Sequence, residues 1–102
     1  MFARRLQRGD QVAYVPPHAQ KRTDAPKHWR TWDPAHPDVE FGFVTSQNEQ
    51  FVFCRFWLPG QPGVLRTTAN SEGAPRNCLV KHISVEQDVI DAALEQIEKA
   101  QP

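Results

Sequence analysis

His18, His36, Asp38 and Glu40 are of the types that bind metals or move protons, and the last three fall within five residues of one another. Imidazole and carboxylate together can hold a divalent ion or share acid–base work. The chain between His18 and His36 is long enough to fold back and bring them together. Their spacing matches no recognised metal motif, however, and the sequence has no CxxC or HExxH. The plainer alternative is that they hydrogen-bond loop backbone and brace the entry to the strands that follow. A metal-binding or small acid–base enzyme site stays open beside it, but no cofactor is expected.

A second constellation mixes rings with guanidinium groups: Trp29, Arg30 and Trp32, then Phe53, Arg55 and Trp57. Trp and Arg are favoured at protein-binding hot spots, and aromatic rings also stack on bases. They form either a protein-binding surface, a base-stacking surface, or a satellite core under a long loop. The two cysteines, Cys54 and Cys78, are too few for a disulfide framework. Cys54 falls on an apolar strand and reads as a small buried hydrophobe. Cys78 has only His82 nearby in sequence, which is little support for a thiol nucleophile.

The element that must position these residues is Glu40–Leu58. It carries five of the six phenylalanines and reads as two strands, 41–46 and 50–58, around a polar turn at 47–49. On the second strand Val52, Cys54 and Phe56 alternate with Phe53, Arg55 and Trp57, so the two sets face opposite sides. Arg55 belongs to the second set. The first set is therefore expected in the core, with the second covered by the long loop or by a partner.

Gln11-Val12-Ala13-Tyr14-Val15 reads as a first strand, stopped by Pro16-Pro17. From 18 to 39 no period is visible, and the stretch reads as a long loop. Pro59-Gly60-Gln61-Pro62-Gly63 is a turn cluster. A short strand is expected over 64–68, a polar loop over 70–77, and a last strand, or a helical turn leading into one, over 78–83. Ser84 then opens a helix to about residue 100, with Gln87 completing a capping box. Val89, Ile90, Ala93, Leu94 and Ile97 share one side of it, and the other side is acidic. This stripe fits packing on the parent domain, a dimer seam, or a dock for another protein. The predicted fold is mainly β: a single domain over 1–102, a small SH3-like five-stranded barrel with a C-terminal amphipathic helix. Such barrels use an aromatic groove beside the first long loop to hold peptides.

With 102 residues there is room for one small core. The formal charge is zero, so nothing pulls the whole molecule toward nucleic acid or acidic membranes. The charge is uneven, however. Residues 1–36 carry seven Lys/Arg against three Asp/Glu, and residues 37–102 carry five against nine. The two ends are expected to attract each other. The basic third also leaves a nucleic-acid-binding barrel as an alternative function. No apolar run reaches membrane-spanning length, and the first residues lack a secretory pattern. The expectation is a cytoplasmic protein with reduced cysteines and no membrane partner.

Several pieces, taken in order, resemble a known group. They are Gly9-Asp10-x-Val12-x-Tyr14-x-Pro16-x-His18-Ala19, His36-Pro37-Asp38-x-Glu40-x-Gly42-x-Val44-x-Ser46, Val52-Phe53-x-Arg55-Phe56 and Asn77-x-Leu79-Val80. Together they resemble small phage and prophage proteins of unknown function, over roughly residues 9–83 with gaps. The resemblance implies an SH3-like barrel and a phage or prophage setting, and no particular activity. The chain departs from that group in its longer 18–36 segment, with Trp29 and Trp32, and in its acidic C-terminal helix. The leading expectation is a non-enzymatic interaction domain that binds an unidentified host or phage protein.

Overall fold

The computed structural model describes residues 6–22, 30–66 and 71–100. Eight strands are described: β1 Gln11–Tyr14, β2 Gln20–Arg22, β3 Arg30–Trp32, β4 Glu40–Gln47, β5 Phe51–Leu58, β6 Gln61–Leu65, β7 Glu72–Pro75 and β8 Leu79–Lys81. One helix, α1 Gln87–Ala100, closes the chain, and 3-10 turns precede β2 (Pro17–Ala19) and β8 (Arg76–Cys78). Six strands form an antiparallel sheet in the order β6-β5-β4-β1-β8, with β7 on the other half of β5. β2 and β3 pair separately. Among the described residues no helix is long and apolar enough to cross a membrane.

The predicted hairpin is the middle of this sheet. Val52, Cys54 and Phe56 are buried as their alternation requires, in a cluster with Leu6, Val12, Val44, Ala74 and Leu79. The opposite face of the hairpin has its own cover. Ile90 and Ala93 of α1 lie against Phe43 and Trp57, flanked by Phe41, Leu65, Val85, Leu94 and Ile97. The helix therefore spends its apolar stripe on its own sheet. Val89 is the stripe residue left exposed.

Three expectations need correction. The segment 18–39 is not a featureless loop: Gln20, Lys21 and Arg22 pair with Trp32, Thr31 and Arg30. The segment 70–77 contains a strand, because Glu72–Pro75 runs antiparallel to Phe51–Cys54. Gly73 lies opposite Phe53, and a Cβ on it would come 3.2 Å from the Phe53 ring, so the glycine makes room for that ring. The strand expected at 64–68 lies earlier, at Gln61–Leu65, so the turn expected over 59–63 is confined to Pro59 and Gly60; residues 67 and 68 fall outside the described residues.

Ser84 does not cap α1 either. Its buried hydroxyl has no hydrogen-bond partner among the described residues, and the helix starts at Gln87. The amides of Ser84 and Val85 both donate to Gln11 Oε1, at 2.9 and 3.0 Å, while Gln11 Nε2 donates to Val85 O at 2.8 Å. Gln11 is 7% exposed, and it clamps the linker that swings α1 onto the sheet. Gln11→Ala leaves two amides and a carbonyl without these partners. A loss of about 1–3 kcal/mol is expected, read by urea denaturation, with hydrogen exchange in 87–100 rising first.

The attraction between basic and acidic ends is realised by Arg8 and Glu98, whose Nη2 and Oε1 are 2.5 Å apart. Both side chains are about half exposed, so solvent screens the pair.

Candidate functional site

The turn between β3 and β4 is wound tightly on itself. His36 N donates to Asp33 O, Val39 N to His36 O, and Ala35 N to Asp33 Oδ1 at 2.9 Å. Asp38 N donates to His36 Nδ1 at 3.1 Å, which requires that nitrogen to be unprotonated. From the neighbouring 3-10 turn, His18 Nε2 lies 2.6 Å from Asp38 Oδ2, and the His18 and His36 rings are 5.8 Å apart. Three of the four residues singled out for chemistry thus meet, and they brace a loop. Among the described residues no group of three His, Cys, Asp or Glu is placed to hold a metal ion.

Glu40 goes elsewhere. Arg66, just beyond β6, donates from Nη1 to Glu40 Oε1 and from Nη2 to Glu72 Oε1, the latter at 2.5 Å. Its guanidinium sits 5.3 Å from the Phe56 ring centre. Tyr14 faces Glu40 across the β1–β4 ladder. Burial is the main cause that holds the Glu40 carboxyl above its ordinary range; Arg66 opposes it, and the charges of Glu72 and Asp38 add to it. Burial likewise raises the Tyr14 hydroxyl, helped by Cys78 and Glu40. The ion-pair partners are 26 and six residues apart, so no local pattern announces this cluster.

A pH signature follows. An acid whose pKa is raised by folding favours the native state most when protonated. Its contribution is full below the unfolded value, here 4.5, and is lost as pH rises through the raised native value. The stability of wild type minus that of Glu40→Gln is therefore expected to fall as pH rises from 4.5 into that window, and to be flat above it. Urea denaturation of both proteins across this range measures it, and parallel curves would contradict the assignment.

Between the 33–39 turn and the β5–β6 turn lies a groove of about 540 Å³. Pro34 and Pro37 line it from one side, and Pro59 of the β5–β6 turn and Pro62 of β6 from the other, with Phe41, Trp57 and Leu58 between. Ala35, His36, Asp38, Val39, Glu40 and Gly60 complete its lining. Trp57 is 4% exposed, and its indole N–H has no acceptor among the described residues.

The six residues expected to form a binding surface do not share one open face. Trp29 lies outside the described residues, and Arg30 falls in β3. Trp32 is half-buried beside Ala13, Val15, Ala19 and Val39, with its ring 5.3 Å from His82 and 6.3 Å from Phe41. Phe53 and Arg55 are half-buried on β5. Trp57 is buried in a cluster with Phe43 and with Ile90 and Ala93 of α1. What the sequence reading missed is the groove itself, whose signal was the two proline-bearing stretches at 34–37 and 59–62. Cys54 is fully buried, and burial pushes its thiol up to about 12, so it stays a neutral packing group. Cys78 is also buried, with Sγ 3.6 Å from Asn77 Oδ1.

Comparison with known proteins returns nothing for this chain: no family model, curated protein or solved structure matches it.

Proposed function

We propose that this chain is a non-enzymatic protein-interaction domain of phage or prophage origin that holds a partner protein in the proline-rimmed groove. The observation that carries the reading is the composition of that groove. Half-buried Phe41 lies between two pairs of prolines, above the buried Trp57, with ionisable groups confined to one wall. Binding sites of this size commonly pair an apolar floor with a few polar groups that set orientation. The rim is pre-formed, since the 33–39 turn is braced by its own hydrogen bonds and by His18. A rigid rim lowers the ordering cost of binding.

An SH3-like barrel is the finer fold within this reading. It is supported by the return of β8 to β1 directly after a 3-10 turn, and by β7 pairing with the half of β5 that β6 leaves open. Modulation of a host protein fits a domain of this size, and that step rests on analogy. The basic N-terminal third offers nucleic acid less, because Arg8 is already spent on Glu98.

A photo-crosslinking residue at exposed Ala35, on the groove rim, tests the reading against the same group at exposed Glu95 on α1. A bacterial or phage protein captured only from Ala35, and displaced by unlabelled chain, is the expected result. Identical products from both positions, or none, would overturn it.

A further inference from the structure

We infer that the groove takes an extended segment of the partner carrying one basic side chain, which Asp38 and Glu40 read while apolar neighbours lie on Phe41 and the prolines. This rests on the docking reading above and names the chemistry of the occupant. The lining holds two carboxylates and no Lys or Arg. Residues 33–41 carry Asp33, Asp38 and Glu40 against no Lys or Arg, with His36 between them, so the wall is rich in carboxylates. Each lining carboxylate has one oxygen engaged: Asp38 Oδ2 with His18, and Glu40 Oε1 with Arg66. Asp38 Oδ1 and Glu40 Oε2 make no hydrogen bond among the described residues.

The charge around Glu40 is out of balance. Arg66 is a single cation shared between Glu40 and Glu72, and Asp38 adds a further negative charge. Burial and these two neighbours outweigh Arg66 in their effect on the Glu40 carboxyl. A second cation entering the groove relieves that repulsion and meets the partly buried Glu40, where a charge pair is screened less than at the open surface, with the exposed Asp38 beside it. The same field repels phosphate, so neither a nucleic-acid backbone nor an anionic lipid surface suits this groove. The apolar remainder of the lining favours a short segment over a lone amine, because rings and prolines offer contact area and few hydrogen-bonding groups.

The test selects random dodecapeptides on the immobilised full chain, then measures the selected peptide in solution by fluorescence anisotropy. The expected consensus has Arg or Lys at one fixed position beside apolar residues. Replacing that residue with glutamine in the peptide is expected to weaken binding about tenfold or more. Asp38→Asn and Glu40→Gln are expected to weaken the original peptide similarly, and to discriminate less between it and the glutamine version. Asp38 is exposed, so Asp38→Asn leaves the core intact. Ala35→Arg, also at an exposed position, adds a cation to the rim and is expected to weaken binding without changing the melt.

A consensus lacking a basic residue would overturn this inference while leaving the docking reading in place. So would binding that ignores Asp38→Asn, Glu40→Gln and Ala35→Arg alike. Displacement of the selected peptide by a DNA oligonucleotide would also overturn it. Failure to enrich any peptide would count against both.

Discussion

Gly42→Ala is expected to leave the chain without a cooperative fold. Gly42 is buried on β4 opposite Phe56 of β5. A Cβ there would fall 2.0 Å from Arg55 O and 2.8 Å from Phe56 Cα. Both are backbone atoms of the facing strand, so no rotamer change makes space. The two strands would have to separate where they carry Phe43, Val44, Cys54, Phe56 and Trp57, all of them buried. Overpacking of a core commonly costs about 1–3 kcal/mol, and more where backbone must move. Small domains hold only about 5–15 kcal/mol in total. Gly60→Ala is the informative control. Its φ of 73° strains any side chain, yet nothing lies within 4 Å of the added Cβ. That variant is expected to fold with modest destabilisation, while Gly42→Ala loses its far-UV strand signal and its dispersed amide resonances. A wild-type melt for Gly42→Ala would mean that β4 and β5 cross less closely than described.

The central hairpin was legible because a strand buried on one side must alternate. Val52, Cys54 and Phe56 are the residues that alternation sends inward. The stripe of α1 was legible for the matching reason at helical period. What alternation cannot say is which element covers the second face. Trp57 was readable as opposite to Phe56, but its burial depends on a helix 30 residues further on. β7 was hidden because Glu-Gly-Ala-Pro has no strand composition of its own. Its conformation is imposed by the ladder to Phe51–Cys54. The start of α1 moved for a comparable reason. Ser84 has the chemistry of a cap, but Gln11, 73 residues earlier, takes its amide first.

The site divides in the same way. His18, His36 and Asp38 come together because the turn between β3 and β4 is local and hydrogen-bonded within itself. Glu40, only two residues from Asp38, opens β4 and finds Arg66 across the sheet. Its partner and its raised pKa are consequences of tertiary packing. Prolines 34, 37, 59 and 62 read as turn punctuation in sequence, and only the fold sets the two stretches around one groove, with Pro62 in β6.

Trp57→Ala is therefore expected to act first on stability and only through it on binding. The indole is 4% exposed, its ring centre lies 5.3 Å from that of Phe43, and Ile90 and Ala93 of α1 join the same cluster. Truncating a buried aromatic side chain costs about 3–5 kcal/mol. The loss falls on the contact that holds α1, and a 14-residue helix without its docking surface is marginal on its own. The expected result is a lower urea midpoint together with early loss of amide protection across Gln87–Ala100. Trp57→Phe, which restores a ring against Phe43, is expected to recover most of both. Were Trp57 a residue presented to a partner, Trp57→Ala would keep the wild-type midpoint and lose binding alone. The two outcomes differ in sequence as well as size: with the indole as packing for α1, the helix loosens before the sheet.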